Sequence, residues 1–164
     1  MPETTLRPLT DDEHPLVENL WQLYRHDLSE FRGTLPDELG RFAPGHLPLH
    51  LTGDPDRTAY LVRLDGRPAG FVLLRGLVER PLRIAEFFVA RAARRQGVGR
   101  VAALRLLELH PGDWEIAFQE ENPSAARFWR RLAAEVAGDR WTEERRPVPG
   151  KPHLPPDVWL VLSV

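Results

Sequence analysis

The chain has no cysteine among its 164 residues, which excludes disulfide bonds, thiolate nucleophiles and cysteine-ligated metal sites. No apolar run approaches the roughly 20 residues that a membrane-spanning helix needs. The first residues, MPETTLRPLTDDEH, are polar and acidic, unlike a secretion signal. The formal net charge is -2, so no overall basic field favours nucleic acid. We therefore predict a cytoplasmic protein with no metal site, no nucleic-acid partner and no membrane association.

The remaining composition is typical of a globular domain. Apolar residues make up 42% and charged residues 28% of the chain, which are ordinary values for such proteins. The length suits one domain with a sizeable core, and no internal repeat or linker divides it. We predict a single domain over residues 1–164.

Apolar periodicity predicts the order of the elements. Strands are expected at 4–9, 81–90, 114–120, 140–146 and 157–164, helices at 10–31, 98–110 and 122–136, and a loop with one short helix at 32–56. The Asp65-Gly66 pair predicts a tight hairpin turn within 57–77. A helix joins strands 81–90 and 114–120, which predicts a right-handed crossover between parallel strands. The fold class is therefore α/β (α+β), with a mixed, mostly antiparallel sheet of six to seven strands flanked by helices.

The segment RRQGVGR, residues 94–100, connects a predicted strand to a predicted helix. Glycines allow close backbone approach, and the free amides of a helix N-terminus attract anions, so a phosphate site is the first interpretation. The segment from Gly97 to Ala102 also fits the dinucleotide fingerprint G-x-G-x-x-A, but an antiparallel hairpin precedes it where that fingerprint opens a parallel sheet. No G-K-[ST] follows, which excludes a nucleotidase phosphate loop. The interpretation that this segment is a purely structural turn also stays open.

Two segments carry a resemblance to a known family. EFFVARAARRQGVGRVAALRLLEL resembles the signature of the GCN5-related N-acetyltransferases (GNAT), in which R/Q-x-x-G-x-G/A opens a helix after a strand. ENPSAARFWRRL is similar to that family's N-x-x-A-x-x-F-Y-x-x-L element. The resemblance implies a GNAT-like sheet with splayed parallel central strands and acetyl-CoA as co-substrate.

The resemblance also implies a set of cofactor-binding residues. Phe87, Phe88 and Val89 would hydrogen-bond the pantetheine arm through their backbones. The pyrophosphate would lie on the turn formed by Arg94, Arg95, Gln96, Gly97, Val98, Gly99 and Arg100. Asn122 would contact the arm through its side chain, and it is also the predicted N-cap of the helix 122–136.

The implied chemistry is transfer of an acetyl group to a primary amine of a small molecule or peptide. Glu86 is the candidate general base. Trp129 stands where many members have a tyrosine acid, and Ala117 stands where some have a glutamate base. Tyr24, His26, Asp27 and Glu30 are expected on or near the acceptor side. The alternative is a non-catalytic CoA-binding sensor or assembly module, and the C-terminal strands predict a possible homodimer.

Overall fold

A computed structural model describes residues 2–164. Its elements in chain order are β1 (Thr4–Pro8), α1 (His14–Arg32), β2 (Arg57–Leu64), β3 (Arg67–Arg75), β4 (Leu82–Val89), α2 (Val98–Leu109), β5 (Asp113–Phe118), α3 (Pro123–Ala137), β6 (Thr142–Arg146) and β7 (Asp157–Ser163). Short 3-10 helices occur at Asp11–Glu13, Leu47–His50 and Arg91–Ala93. The predicted order of strands and helices is confirmed. β5 ends two residues earlier than predicted, because the chain turns there and the Asn122 amide donates to the Gln119 carbonyl.

The strands form one seven-stranded sheet in the order β1-β2-β3-β4-β5-β7-β6. β4 and β5 are parallel, and every other neighbouring pair is antiparallel. The mixed, mostly antiparallel sheet is thus confirmed. The β2–β3 hairpin closes on Asp65 and Gly66 with φ of 50° and 78°, the positive values that a two-residue turn of type I′ requires.

Helices cover both faces of the sheet. On one face, α2 and α3 contribute Ala102, Leu106, Trp129 and Leu132 to a core with alternate residues of the strands. On the other face, α1 contributes Val17, Leu20 and Trp21 to a smaller core over β2, β3 and the end of β4. This α1-side core contains no residue of β5, β6 or β7.

The two parallel strands separate before they end. Their pairing consists of Leu82 with Trp114, Arg83 with Glu115, and Ile84 with Ile116. Beyond Ile84, β4 stays paired to β3 as far as Val89, and β5 stays paired to β7 as far as Phe118. The predicted splay of the central strands is confirmed, and it opens a gap beside residues 85–89.

Candidate functional site

A β-bulge decides which way Glu86 faces. Leu74 pairs with Ile84 while Leu73 pairs with Glu86, so Ala85 is an extra residue in β4. Leu82 and Ile84 belong to the core under α2 and α3, and strict alternation would have placed Glu86 with them. The bulge shifts the alternation by one residue, so that Phe88 lies in the α1-side core and Glu86 meets α1.

Glu86 contacts Tyr24 of α1 at the mouth of the gap. The Tyr24 hydroxyl donates a hydrogen bond to Oε2 of Glu86. Within residues 2–164, Oε1 of Glu86 has no hydrogen-bond partner, so it is the oxygen left for an incoming group. Burial raises the pKa of Glu86, and the Tyr24 hydrogen bond and the charge of Arg25 oppose that rise. The carboxyl thus has the raised pKa that suits a general base.

The Tyr24 ring is held by aromatic neighbours. It lies edge-on to Phe71 at 5.5 Å between ring centroids, and it also contacts Trp21 at 5.5 Å and Phe88 at 5.9 Å. Burial, followed by the negative charge of Glu86, raises the pKa of Tyr24 well above its ordinary value. Tyr24 is therefore a protonated donor whose direction toward Glu86 is set by packing.

The glycine turn presents free amides beside the same gap. Gly97 is the residue before α2 and has φ of 79°, and Arg95 also has a positive φ of 62°. The amides of residues 95–100 donate no hydrogen bond to any residue in 2–164. Gly99 lies against α3, since an added Cβ would be 3.4 Å from the Phe128 ring. The turn therefore presents a cluster of unpaired backbone amides at the N-terminus of α2, which are donors of the kind that anions accept from.

The three arginines of the turn differ in their surroundings. Arg94 donates from Nε to the Val89 carbonyl at 2.8 Å and contacts the Asp27 carboxylate through its NH2 group. Arg100 donates to Glu135 at 3.0 Å. Arg95 is exposed and makes no ion pair within the described chain, so it is the one whose charge is available to an anion without exchange of partners.

The remaining predicted cofactor residues lie around the gap. Phe87 points to the α2–α3 side and stacks edge-on with Trp129 at 5.0 Å. Gln96 donates to the Ala92 carbonyl at 2.8 Å, and Val98 is buried in the core. Asn122 caps α3, its Oδ1 accepting from the Ala125 amide at 3.2 Å, which leaves its amide nitrogen free to donate.

Trp129 is a core residue, 6% exposed, with its indole between Phe87 and Phe128. Its indole cannot act as a titrating acid.

A polar atom that sequence reasoning missed is Oε1 of Gln119, which is buried just after β5 without a hydrogen-bond partner in residues 2–164. Only its burial identifies it, since an isolated glutamine has no sequence signal.

The other polar residues predicted on the acceptor side make no hydrogen bond with Glu86 in the described part of the chain. Asp27 accepts from Arg91 at 3.0 Å and contacts Arg94, so it ties α1 to the glycine turn. His26 and Glu30 are exposed, and the His26 ring lies 6.4 Å from that of Phe42. A cavity of about 480 Å³ between α1 and the loop 37–52 is lined by Trp21 and Gln22 but not by Glu86.

The α1-side face of β5, β7 and β6, which we call the open face, carries charged groups in place of a helix. Glu115 accepts from Arg83 at 2.8 Å and from Arg146 at 2.9 Å. Both guanidinium groups also lie over the Trp159 ring, at 5.5 Å and 4.8 Å from its centroid. Ala117 is the register partner of Trp159 and is the first residue of β5 beyond its pairing with β4.

Other predictions concern metals, membranes and dimers. Residues 2–164 contain no group of three or more histidine, aspartate or glutamate side chains arranged to hold a metal ion. No helix in this range is both long and apolar enough to cross a membrane. The edge strand β6 carries Glu143, Glu144 and Arg145 in exposed positions. Charges of this kind discourage strand-to-strand pairing, and the homodimer stays a prediction.

Known proteins share this architecture. A family model described as "Acetyltransferase (GNAT) family" matches residues 17–134. No curated protein sequence is a significant match. Similar solved structures include an acetyltransferase from Thermus thermophilus, with a TM-score of 0.67 and 19% identity over 98% of this chain and 97% of that chain. The ribosomal-protein-S18-alanine N-acetyltransferase from Escherichia coli has a TM-score of 0.66 and 14% identity, covering 99% and 94%.

A third similar structure contains a ligand. It is a putative streptothricin acetyltransferase from Bacillus anthracis in complex with acetyl coenzyme A, with a TM-score of 0.54 and 17% identity over 68% of this chain and 65% of that chain. The TM-scores show that all three structures share the fold of this chain.

Proposed function

The chain belongs to the GNAT family of acetyltransferases, and we propose that it transfers the acetyl group of acetyl-CoA to a primary amine of a small molecule or peptide, by direct attack in a ternary complex. The observation that carries this proposal is the placement of Glu86. It lies where β4 and β5 separate, with one carboxylate oxygen held by Tyr24 and the other free.

The proposed seat of acetyl-CoA consists of the gap and the glycine turn. Because β4 has no partner on its β5 side beyond Ile84, the backbone N–H and C=O of Phe87 and the N–H of Val89 are available on that edge to bond the pantetheine amides. The Phe88 carbonyl faces β3, and the Val89 carbonyl accepts from Arg94. The unpaired amides of residues 95–100 and the positive end of α2 suit a pyrophosphate. Arg95 adds charge there, while Arg94 and Arg100 would add theirs only by exchanging carboxylate partners. Asn122 would donate from its free amide nitrogen.

Glu86 is proposed as the general base. An acceptor amine reaches the site largely as an ammonium ion and must lose a proton before its nitrogen attacks the thioester carbonyl. The free Oε1 of Glu86 would take that proton, directly or through one water. The new N–C bond forms as the C–S bond breaks, and the electron pair leaves on sulfur. The backbone N–H of Val89, which faces the gap, would stabilise the oxyanion.

The leaving thiolate needs less help from the protein than the attacking amine does. A thiol has a pKa of about 8.5, so its thiolate can leave without being protonated in the same step and can take up a proton from water afterwards. Protonation by a side chain is therefore less important for this step than deprotonation of the amine. This difference makes Trp129, in place of a tyrosine, compatible with turnover.

The test combines binding and turnover. Calorimetric titration with acetyl-CoA should give a dissociation constant tighter than about 1 mM, and thiol release should depend on an added amine. Glu86→Gln should lower kcat by about 10²–10⁴-fold while acetyl-CoA affinity is unchanged. The matched control is Glu108→Gln, an exposed carboxylate near the far end of α2.

The outcomes separate the possible functions. Absence of acetyl-CoA binding would contradict the proposal as a whole. Tight binding without thiol release for any amine would favour a CoA-binding module in place of an enzyme. Undiminished turnover of Glu86→Gln at neutral pH would remove Glu86 from the mechanism and leave the transferase activity intact.

A further inference from the structure

Arg25 is partly buried and has no hydrogen-bond or ion-pair partner in residues 2–164, whereas Arg95, which also lacks one, is exposed. Other arginines around the gap contact carboxylates: Arg32 with Asp157, Arg83 and Arg146 with Glu115, and Arg91 and Arg94 with Asp27. Arg25 makes no hydrogen bond or ion pair with any residue in 2–164, and its Nε is buried. A buried charged donor left unpaired costs free energy, which an incoming acceptor group can recover.

Arg25 lies close enough to the candidate base, Glu86, for its charge to act on that carboxylate. It follows Tyr24 in α1, and its guanidinium carbon lies 5.8 Å from the centroid of the Trp21 ring. Arg25 and Arg32 are seven residues apart, close to two helical turns, so they share one flank of α1. Arg32 contacts Asp157 at the start of β7 at 3.3 Å, which shows that this flank faces the open face of the sheet. The charge of Arg25 also reaches Glu86, where it opposes the rise in the pKa of that carboxyl.

We propose that Arg25 binds a carboxylate of the acceptor, and that the acceptor is an amino acid whose amine reaches Glu86; this inference rests on the proposed function. Glu86 and Arg25 form a pair of opposite charges on adjacent parts of the site. An amino acid presents the complementary pair, an ammonium group and a carboxylate. A guanidinium can hold the carboxylate through two parallel hydrogen bonds. A polyamine would instead bring a second positive charge toward Arg25, which disfavours its binding.

The experiment uses matched substrate pairs. Thiol release from acetyl-CoA is measured for each standard amino acid and for the amine that differs from it only by loss of the carboxylate. For at least one pair, the wild-type protein should favour the amino acid by about tenfold to hundredfold in kcat/KM, the range of a charge-assisted hydrogen-bond pair.

Variants of Arg25 then test the residue itself. Arg25→Gln, assayed at alkaline pH where Glu86 is ionised in both proteins, should abolish the preference by raising KM for the amino acid, with little change in kcat. Arg25→Lys should retain part of the preference for the amino acid, since lysine keeps the positive charge but lacks the planar guanidinium that makes two parallel hydrogen bonds. Arg105→Gln, at an exposed arginine of α2 without a partner in residues 2–164, is the matched control and should keep the wild-type ratio.

The results distinguish this inference from the proposed function. If no amine or amino acid is acetylated, the proposed function fails. If amines are acetylated but the carboxylate gives no advantage, or if Arg25→Gln keeps the wild-type ratio, the role of Arg25 is overturned and the transferase stands. If Arg25→Gln does not fold, the wild-type ratio and the Arg25→Lys variant still decide the matter.

Discussion

Replacement of Tyr24 by phenylalanine tests how the fold prepares Glu86. The substitution removes one hydroxyl and keeps the ring that packs against Trp21, Phe71 and Phe88. In the native protein, the hydrogen bond from Tyr24 lowers the pKa of Glu86. Without that bond, burial raises the pKa further. A hydrogen bond to a charged group has a net value of about 1.5–3 kcal/mol, and about 1.36 kcal/mol corresponds to one pH unit. The acid limb of the kcat/KM profile should therefore move upward by about one to two pH units, with water entry reducing the shift.

The assay is the pH dependence of kcat/KM for thiol release. Activity of Tyr24→Phe should fall most below neutral pH and approach that of the wild type at alkaline pH, where Glu86 is ionised in both proteins. The chain's other tyrosine supplies the control, because the Tyr60 hydroxyl contacts His110 at 2.6 Å at the far end of α2. Tyr60→Phe should leave the limb in place. Superimposable profiles for Tyr24→Phe and the wild type would refute the assignment of Glu86 as the titrating base.

Two further predictions concern stability and cofactor binding. Burial raises the pKa of Glu86, so its ionisation costs more in the folded protein than in the unfolded chain, and stability is lost as pH rises through the folded-state pKa. Glu86→Gln should therefore raise Tm at about pH 8 and have little effect at about pH 4, and a pH-independent difference in calorimetric Tm would contradict this sign. Gly97→Ala and Gly53→Ala, at φ of 79° and 78° with open space around the new Cβ, should each lower the free energy of unfolding by about 1–2 kcal/mol. Only Gly97→Ala should also weaken acetyl-CoA binding in calorimetry, and equal affinities would argue against the glycine turn as the pyrophosphate seat.

Local signals explain the parts of the fold that were predictable. The Asp65-Gly66 pair specifies its hairpin turn, because both residues tolerate positive φ at little cost. Asn122 and Pro123 mark the start of α3, since one caps the helix and the other suits its first turn. The glycine turn was recognisable for the same reason, because its backbone conformation depends on residues next to one another in the chain.

The partners of the site residues depend on contacts that are distant in sequence. The turn arginines were expected to face phosphate, but Arg94 contacts Asp27, 67 positions away, and Arg100 contacts Glu135, 35 positions away. No periodicity or spacing specifies such pairs, since they form only when α1 and α3 pack against the sheet. The contact between Tyr24 and Glu86 could not be predicted from spacing either, because the two residues are 62 positions apart.

By itself, the sequence determined the order of strands and helices, the splayed parallel pair implied by its family resemblance, and the glycine turn that opens α2. The element order and the glycine turn follow from short-range backbone preferences and from the alternation of apolar residues, whereas the splay was expected only from the family resemblance. The tertiary structure alone decided that Glu86 faces α1, because the extra residue Ala85 in β4 reverses the alternation that the sequence would predict. It also decided which charges are already paired around the gap and that Arg25 has no partner in residues 2–164, since pairing is a property of packed elements and not of neighbouring residues.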